Sequence, residues 1–144
     1  MIAVDTNVLV YAHREDSPHH APAAAALHGL ATGRAAWAIP WPCVHEFLAV
    51  VTHPRIYRPA TAPDVALAAV RQLVDLPNLH LISESRDHAT ILADLLGNTS
   101  VVGPKVHDAR IAAICLGHGV ETLLSADRDF SWFPALNVAN PLVT

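Results

Sequence analysis

Short apolar segments separated by helical segments are the feature that most constrains how this chain folds. Three of them lie at Ile2–Val4, Trp37–Pro40 and Leu79–Ile82, and two more are predicted at 120–124 and 136–138. They lack the regular alternation of apolar and polar residues that is typical of strands in a sheet with one solvent-exposed face. The sequence therefore predicts an α/β fold, a three-layer α/β/α sandwich with a central, mainly parallel sheet of four to five short strands.

The intervening segments carry ordinary signals for the start and end of helices. Pro18 follows Ser17 at one predicted start, and Pro42 opens another helix that Pro54 ends. The predicted helices cover 7–13, 18–31, 42–53, 61–73, 85–96 and 106–118. No internal repeat or low-complexity linker interrupts this order, so residues 1–144 are expected to form a single domain.

The overall composition excludes several classes of protein. Of the 144 residues 52% are apolar and 15% are charged, which excludes a disordered chain. Nine basic and thirteen acidic residues give a net charge of −4, which argues against a broad basic surface that coats nucleic acid. Two cysteines make no disulfide framework, and no apolar run reaches the roughly 20 residues that a membrane helix needs. We therefore expect a cytoplasmic protein with no membrane association.

Acidic residues recur at the places where open parallel sheets bind ligands. Asp5 follows the first predicted strand, and Asp127 and Asp129 follow the fourth, so that they lie beyond carboxyl ends of strands. Glu46 lies off the apolar stripe of its helix, and Asp108 lies in the first turn of the last helix. Each residue has an ordinary structural explanation as a turn, cap or solvated residue, except that Asp5 is costly to bury without a partner. If they converge, a hard divalent cation such as Mg²⁺ or Mn²⁺ would offset their charge.

Four sequence blocks carry a resemblance to a known family. They are Val4-Asp5-Thr6-Asn7-Val8-Leu9, Val44-His45-Glu46-Phe47, Val106-His107-Asp108-Ala109-Arg110-Ile111-Ala112-Ala113 and Leu124-Ser125-Ala126-Asp127-Arg128-Asp129-Phe130. In these blocks and their order the chain resembles the PIN-domain ribonucleases, specifically the VapC toxins of bacterial type II toxin–antitoxin pairs. The tail at 133–142 is similar to the branch of that family that is abundant in mycobacteria.

The resemblance implies an Mg²⁺-dependent endoribonuclease, with Mn²⁺ as a substitute ion, that hydrolyses RNA phosphodiester bonds by metal-activated water. Carried over by position, the catalytic set is Asp5, Glu46, Asp108 and Asp127. Asp5 and Asp108 would be the principal metal ligands, and the other two would complete the site directly or through water. The supporting polar residues would be Thr6, Asn7, Ser125 and Asp129. Ser125 stands where many relatives carry Thr, and it keeps the hydroxyl.

Substrate and partner contacts are also implied. The candidates for RNA contacts are Arg14, Lys105, His107, Arg110 and Arg128. For His107 a packing role is the first interpretation, and for Arg128 it is pairing with the carboxylates on either side. The resemblance further implies a VapB-type antitoxin whose C-terminal segment blocks the acidic site, and a homodimer.

Two other functions remain open at this point. One is an Mg²⁺-dependent phosphatase-like hydrolase. Asn7 argues against it, because haloacid dehalogenase-like enzymes carry a second acidic residue at that position. The other is a catalytically silent PIN-like module that only binds a partner. The net charge does not oppose a nuclease once the four candidate catalytic acids are set aside, because nine acidic residues then balance nine basic ones. A small contact bridged by a metal ion therefore remains compatible with the composition.

Overall fold

The computed structural model describes residues 1–143, and within them five strands alternate with six α-helices. In chain order the elements are β1 (Ile2–Val4), α1 (Thr6–His13), α2 (His20–Thr32), β2 (Trp37–Pro40), α3 (Trp41–Val51), α4 (Pro63–Val74), β3 (Leu79–Ile82), α5 (His88–Gly97), α6 (Val106–Gly117), β4 (Thr122–Leu124) and β5 (Asn137–Ala139). Two short 3-10 helices, Gly103–Lys105 and Arg128–Trp132, precede α6 and follow β4.

The strands form one sheet in the order β3-β2-β1-β4-β5, and every neighbouring pair is parallel. The chain moves outward from β1 to β2 and β3, then returns past β1 to β4 and β5. Crossover connections between parallel strands are right-handed, and the chain crosses the sheet in one direction up to β3 and in the opposite direction after it. Helices α1–α4 therefore lie on one face of the sheet, and α5 and α6 lie on the other. The predicted α/β sandwich with a parallel sheet is confirmed.

The core lies between the sheet and these two helical layers. Strand β2 buries all four of its residues, including Trp37 and Ile39, which explains why it reads as a continuous apolar segment. Helix α6 buries five consecutive residues at 111–115, because it packs against both the sheet and α5. Phe130 and Phe133, on either side of Trp132, close the core beyond β4.

The element boundaries differ from the sequence-based expectations by a few residues. Helix α2 starts at His20 rather than Pro18, and β4 starts at Thr122 rather than at residue 120. The 3-10 helix after β4 was not predicted; the side chain of Asp127 caps it by accepting a hydrogen bond from the amide of Asp129 at 2.8 Å. No helix in residues 1–143 is long and apolar enough to cross a membrane.

Candidate active site

The site lies where the strand order reverses, at the carboxyl ends of β1 and β4. The chain leaves these adjacent strands toward opposite faces of the sheet, and such a reversal opens a crevice for ligands. The amide of Asp5 donates to the carbonyl of Leu124 at 3.0 Å, so the two strand ends are held together. This pairing brings the residues that follow β1 next to those that follow β4.

Asp5 is a buried carboxylate with a partner on each oxygen. Its side chain is 4% exposed; Oδ2 accepts from the Ser125 hydroxyl at 2.7 Å and Oδ1 accepts from the Cys43 thiol at 3.5 Å. Burial raises the pKa of Asp5 above its ordinary value, while the bond from Ser125 opposes that rise. The pKa of Cys43 lies well above its ordinary value, chiefly because of burial, so the thiol remains a protonated donor. No motif in the sequence marks Cys43 for this role.

Ser125 links the two strand ends through one hydroxyl. Besides donating to Asp5, its Oγ accepts from the amide of Asp127 at 3.0 Å and from the side-chain amide of Asn7 at 3.4 Å. The carbonyl oxygen of the Asn7 side chain accepts from the amide of Ala126 at 3.1 Å. Asn7 and Ser125 therefore hold the loop after β4 against the start of α1 and orient the backbone that carries Asp127.

A second group of carboxylates lies beside Asp5. Ligand oxygens of Asp108, Asp127 and Asp129 lie within 4.8 Å of one another. Burial raises the pKa of Asp108 to about 6, with further contributions from Asp127, Asp5, Asp129 and Glu46 in that order. So many like charges in one place favour a bound cation.

The four predicted catalytic carboxylates line one cavity of about 280 Å³. Glu46 reaches it from α3, and its Oε2 accepts from the hydroxyl of Thr6 at 3.1 Å. The remaining wall is formed by Thr6, Asn7, Val10, Tyr11, Val50, Ile56 and Tyr57. The apolar and aromatic members of this wall were missed by sequence reasoning, because no motif marks them.

Two of the five basic candidates lie next to this site. The ammonium of Lys105 is 3.6 Å from Oδ1 of Asp129 and 5.2 Å from the centre of the Trp132 ring. The guanidinium of Arg14 lies 4.4 Å from the centre of the Tyr57 ring, and Tyr57 lines the cavity. Both cations therefore lie close to the carboxylates, and each is paired with an acidic side chain, Lys105 with Asp129 and Arg14 with Asp16.

The structure differs from the first interpretations of His107 and Arg128, and it gives Arg110 an acidic partner. His107 is exposed, because it precedes the inward-facing Asp108 on α6, so the packing role is wrong. Within residues 1–143 no ion pair joins Arg128 to its flanking carboxylates, since Asp127 caps the 3-10 helix and Asp129 pairs with Lys105. Arg110 is held by Glu84 at 2.6 Å across the protein surface.

The donor set fits a hard divalent cation. Within the described residues, the group of side chains close enough together to hold a metal ion consists of three carboxylates, those of Asp108, Asp127 and Asp129. Oxygen donors suit Mg²⁺ and Mn²⁺, whereas structural zinc sites use Cys and His. The one nearby thiol, that of Cys43, is protonated and bonded to Asp5. The cavity can therefore hold a divalent cation on Asp108 and its neighbours.

Comparison with known proteins agrees with this geometry. Residues 2–135 match the PIN domain family. Ribonuclease VapC43 of Mycobacterium tuberculosis is 34% identical over 142 residues, which cover 99% of this chain and 96% of the relative. The chain belongs to the PIN-domain family, in its VapC branch. Ribonuclease VapC48 of the same species is 29% identical to this PIN domain over 137 residues, which cover 95% of this chain and 94% of the relative.

Solved structures share the fold of this PIN domain at lower sequence identity. VapBC2 of Rickettsia felis, bound to a DNA fragment from its promoter, matches with a TM-score of 0.69 and 20% identity over 97% of this chain and 98% of that chain. VapC20 of Mycobacterium tuberculosis, a toxin that cleaves the sarcin-ricin loop, matches with a TM-score of 0.66 and 15% identity over 91% and 93% of the two chains.

Proposed function

We propose that this PIN domain is the toxin of a type II toxin–antitoxin pair and acts as an endoribonuclease that hydrolyses RNA phosphodiester bonds. The main support is that Asp5, Glu46, Asp108 and Asp127 line one cavity at the carboxyl ends of β1 and β4. These residues come from four separate segments of the chain, and they meet at the point where a parallel sheet offers a ligand site. The relatedness to VapC ribonucleases along almost the whole chain supports the same function.

We assign Mg²⁺ as the natural ion, with Mn²⁺ as a substitute. Asp5 and Asp108 are the proposed principal ligands, and Glu46 and Asp127 complete the site directly or through water. When bound, the ion supplies charge neutralisation for the phosphate and lowers the pKa of water to give a nucleophile near neutral pH. Asp129 lies in the same carboxylate group as Asp108 and Asp127, so we include it as an additional ligand candidate.

The supporting residues hold the carboxylates in place. Ser125 and Cys43 donate to Asp5, and this fixes the direction of its lone pairs. Thr6 donates to Glu46 from the start of α1. Glu46 reaches the cavity from the exposed side of α3, where it can orient a water molecule for attack. Hydrolysis by water would leave a 5′-phosphate and a 3′-hydroxyl.

The substrate, the partner and the molecular setting follow as parts of this proposal. The substrate is RNA with exposed phosphates, as in single strands and loops, and Lys105 and Arg14 are the best-placed of the five proposed contacts. The partner is a VapB-type antitoxin that covers the acidic cavity. The chain acts in the cytoplasm as a homodimer, and residues 1–144 form a single PIN domain.

Replacing Asp5 with Asn tests the proposed activity. We expect purified wild-type protein to cleave cellular RNA at defined sites in the presence of Mg²⁺ and the D5N variant to lose this cleavage, by at least about 100-fold. The measurement is sequencing of RNA ends after brief incubation. The matched control is D94N, which makes the same change at an exposed position on α5.

The alternatives predict different results when small phosphate esters are tested beside the RNA. Equal cleavage by wild type and D5N would contradict the metal nuclease. A phosphatase-like hydrolase would release phosphate from small esters and leave the RNA polymer intact. A protein that binds RNA or a partner but leaves both substrates unchanged would be a silent binding module.

A further inference from the structure

The cavity that holds the carboxylates has a second, uncharged wall. Tyr57 and Ile56 line the same 280 Å³ space as Asp5 and Asp108. Ile56 is 54% exposed, so this wall presents apolar surface to solvent beside the carboxylates. A metal ion and a phosphate make no use of such a surface. A planar, weakly polar group attached to the phosphate would use it.

Tyr57 is held in place by a chain of specific contacts. The guanidinium of Arg14 lies 4.4 Å from the ring centre, so it covers one part of the ring. Arg14 is itself fixed by two bonds to Asp16, at 2.9 and 2.7 Å, and by one to the hydroxyl of Thr61 at 3.2 Å. These contacts hold the ring in place at the wall of the cavity that it lines.

The loop that carries Tyr57 is anchored at both ends. The amides of Ile56 and Tyr57 both donate to the carbonyl of His53 at 3.1 Å. The amide of Thr61 donates to the carbonyl of Val51 at 2.8 Å, and the Thr61 hydroxyl lies 3.1 Å from Nε2 of His13. The loop therefore returns to the end of α3 and keeps its two apolar side chains over the cavity.

We propose that Tyr57, flanked by Ile56, forms a nucleobase-binding subsite for the nucleotide whose phosphate lies at the carboxylates. This inference rests on the proposed function and names part of the substrate contact. Aromatic rings bind nucleobases by stacking, largely independently of base identity.

A fluorescent nucleotide tests the subsite without any RNA cleavage. The probe is 2-aminopurine riboside 5′-monophosphate with Mg²⁺, a diamagnetic ion that does not itself quench, and its base fluorescence falls when it stacks on an aromatic ring. We expect wild-type protein to quench the probe and Tyr57→Ala to bind it about tenfold more weakly or worse, with little quenching. Tyr57→Phe keeps the ring and should behave as wild type. Tyr57→Leu fills the same position without a ring and should resemble Tyr57→Ala.

Ribose 5-phosphate separates the base contact from the phosphate contact. We expect calorimetric titration to show that it binds all four proteins equally and in a Mg²⁺-dependent way, which also shows that the variants are folded. The subsite is overturned if wild type binds the nucleotide no better than ribose 5-phosphate, or if Tyr57→Leu quenches as wild type does. Failure of the proposed function looks different: ribose 5-phosphate would then show no Mg²⁺-dependent binding, and RNA would stay uncut.

Discussion

At the scale of the residue, two carboxylates in the cavity differ in how far hydrogen bonds compensate their negative charge. Asp5 is nearly fully buried but has a hydroxyl and a thiol as donors, so its charge is compensated by hydrogen bonds. Asp108 is only half-buried and faces four other carboxylates, and its pKa rises to about 6 as a result. The site therefore holds more negative charge than its own donors neutralise, and Asp108 is where that excess is most evident.

The raised pKa of Asp108 predicts how metal binding depends on pH. Because a proton and a divalent cation compete for the carboxylate, Mn²⁺ affinity should be constant above about pH 7 and fall about tenfold per unit as the pH drops below 6. Calorimetric titration with Mn²⁺ across this range measures the effect. The D108N variant lacks this carboxylate, so it should bind Mn²⁺ only weakly at every pH in this range. A wild-type affinity that first falls only near pH 4 would contradict the raised pKa.

At the scale of the element, α6 packs closely against α5 and the segment that precedes it. Gly117 ends α6, and a Cβ atom added there would overlap the Ser85 side chain, with Cβ at 2.9 Å, and would contact Ile91 at 3.5 Å. Gly29, in the middle of α2, has no neighbouring atom within 4 Å of such a Cβ. The same residue type thus has a packing requirement in one helix and none in the other.

Alanine at these two glycines should change stability in opposite directions. We expect Gly117→Ala to lower the free energy of unfolding by about 1–3 kcal/mol, because Ser85 must shift to make room. Gly29→Ala should raise it by about 0.4–1 kcal/mol, because alanine restricts the unfolded chain and fits the helix. Urea denaturation of the two variants beside wild type gives both values. Equal effects of the same sign would mean that α5 and α6 do not approach this closely.

At the scale of the whole molecule, the negative charge is concentrated in one cavity. The net charge is −4, and the four proposed catalytic acids line that cavity. The raised pKa of Asp108 means that the folded state holds this proton more tightly than the unfolded state does. As pH rises from about 4 to 6 the unfolded chain loses the proton first. The folded state is therefore progressively destabilised over that range, and the penalty is fully present at neutral pH.

Removing this charge should make the metal-free protein more stable. We expect Asp108→Asn to raise the melting temperature near neutral pH by about 2–4 °C, which corresponds to about 1 kcal/mol after allowance for solvent screening. Addition of Mn²⁺ at about 100 times its Kd should stabilise wild type by about 2.7 kcal/mol. The same addition should have little effect on D108N. Thermal melts with EDTA and with Mn²⁺ measure both, and a lower melting temperature of D108N in EDTA would contradict the argument.

Local patterns in the sequence were sufficient to predict the class of fold and the acidic residues at the strand ends, whereas the resemblance to VapC toxins supplied the predicted roles of Glu46 and Asp108. Short apolar segments buried on both faces require a covered parallel sheet, and acids directly after strands must lie at its carboxyl edge. The 3-10 helix at Arg128–Trp132 was less accessible, because a single capping bond from the amide of Asp129 to Asp127 decides it.

The sequence by itself determined that the protein is an α/β domain with acids at the strand ends, because both properties depend on short stretches of neighbouring residues. Only the tertiary structure decided that β1 lies between β2 and β4 and that Asp108 comes close to Asp127 and Asp129. It alone also decided that Tyr57 shares the cavity with these acids. These relations join residues far apart in the chain. They exist because packing the helices on both faces of the sheet brings the ends of separate elements to one edge.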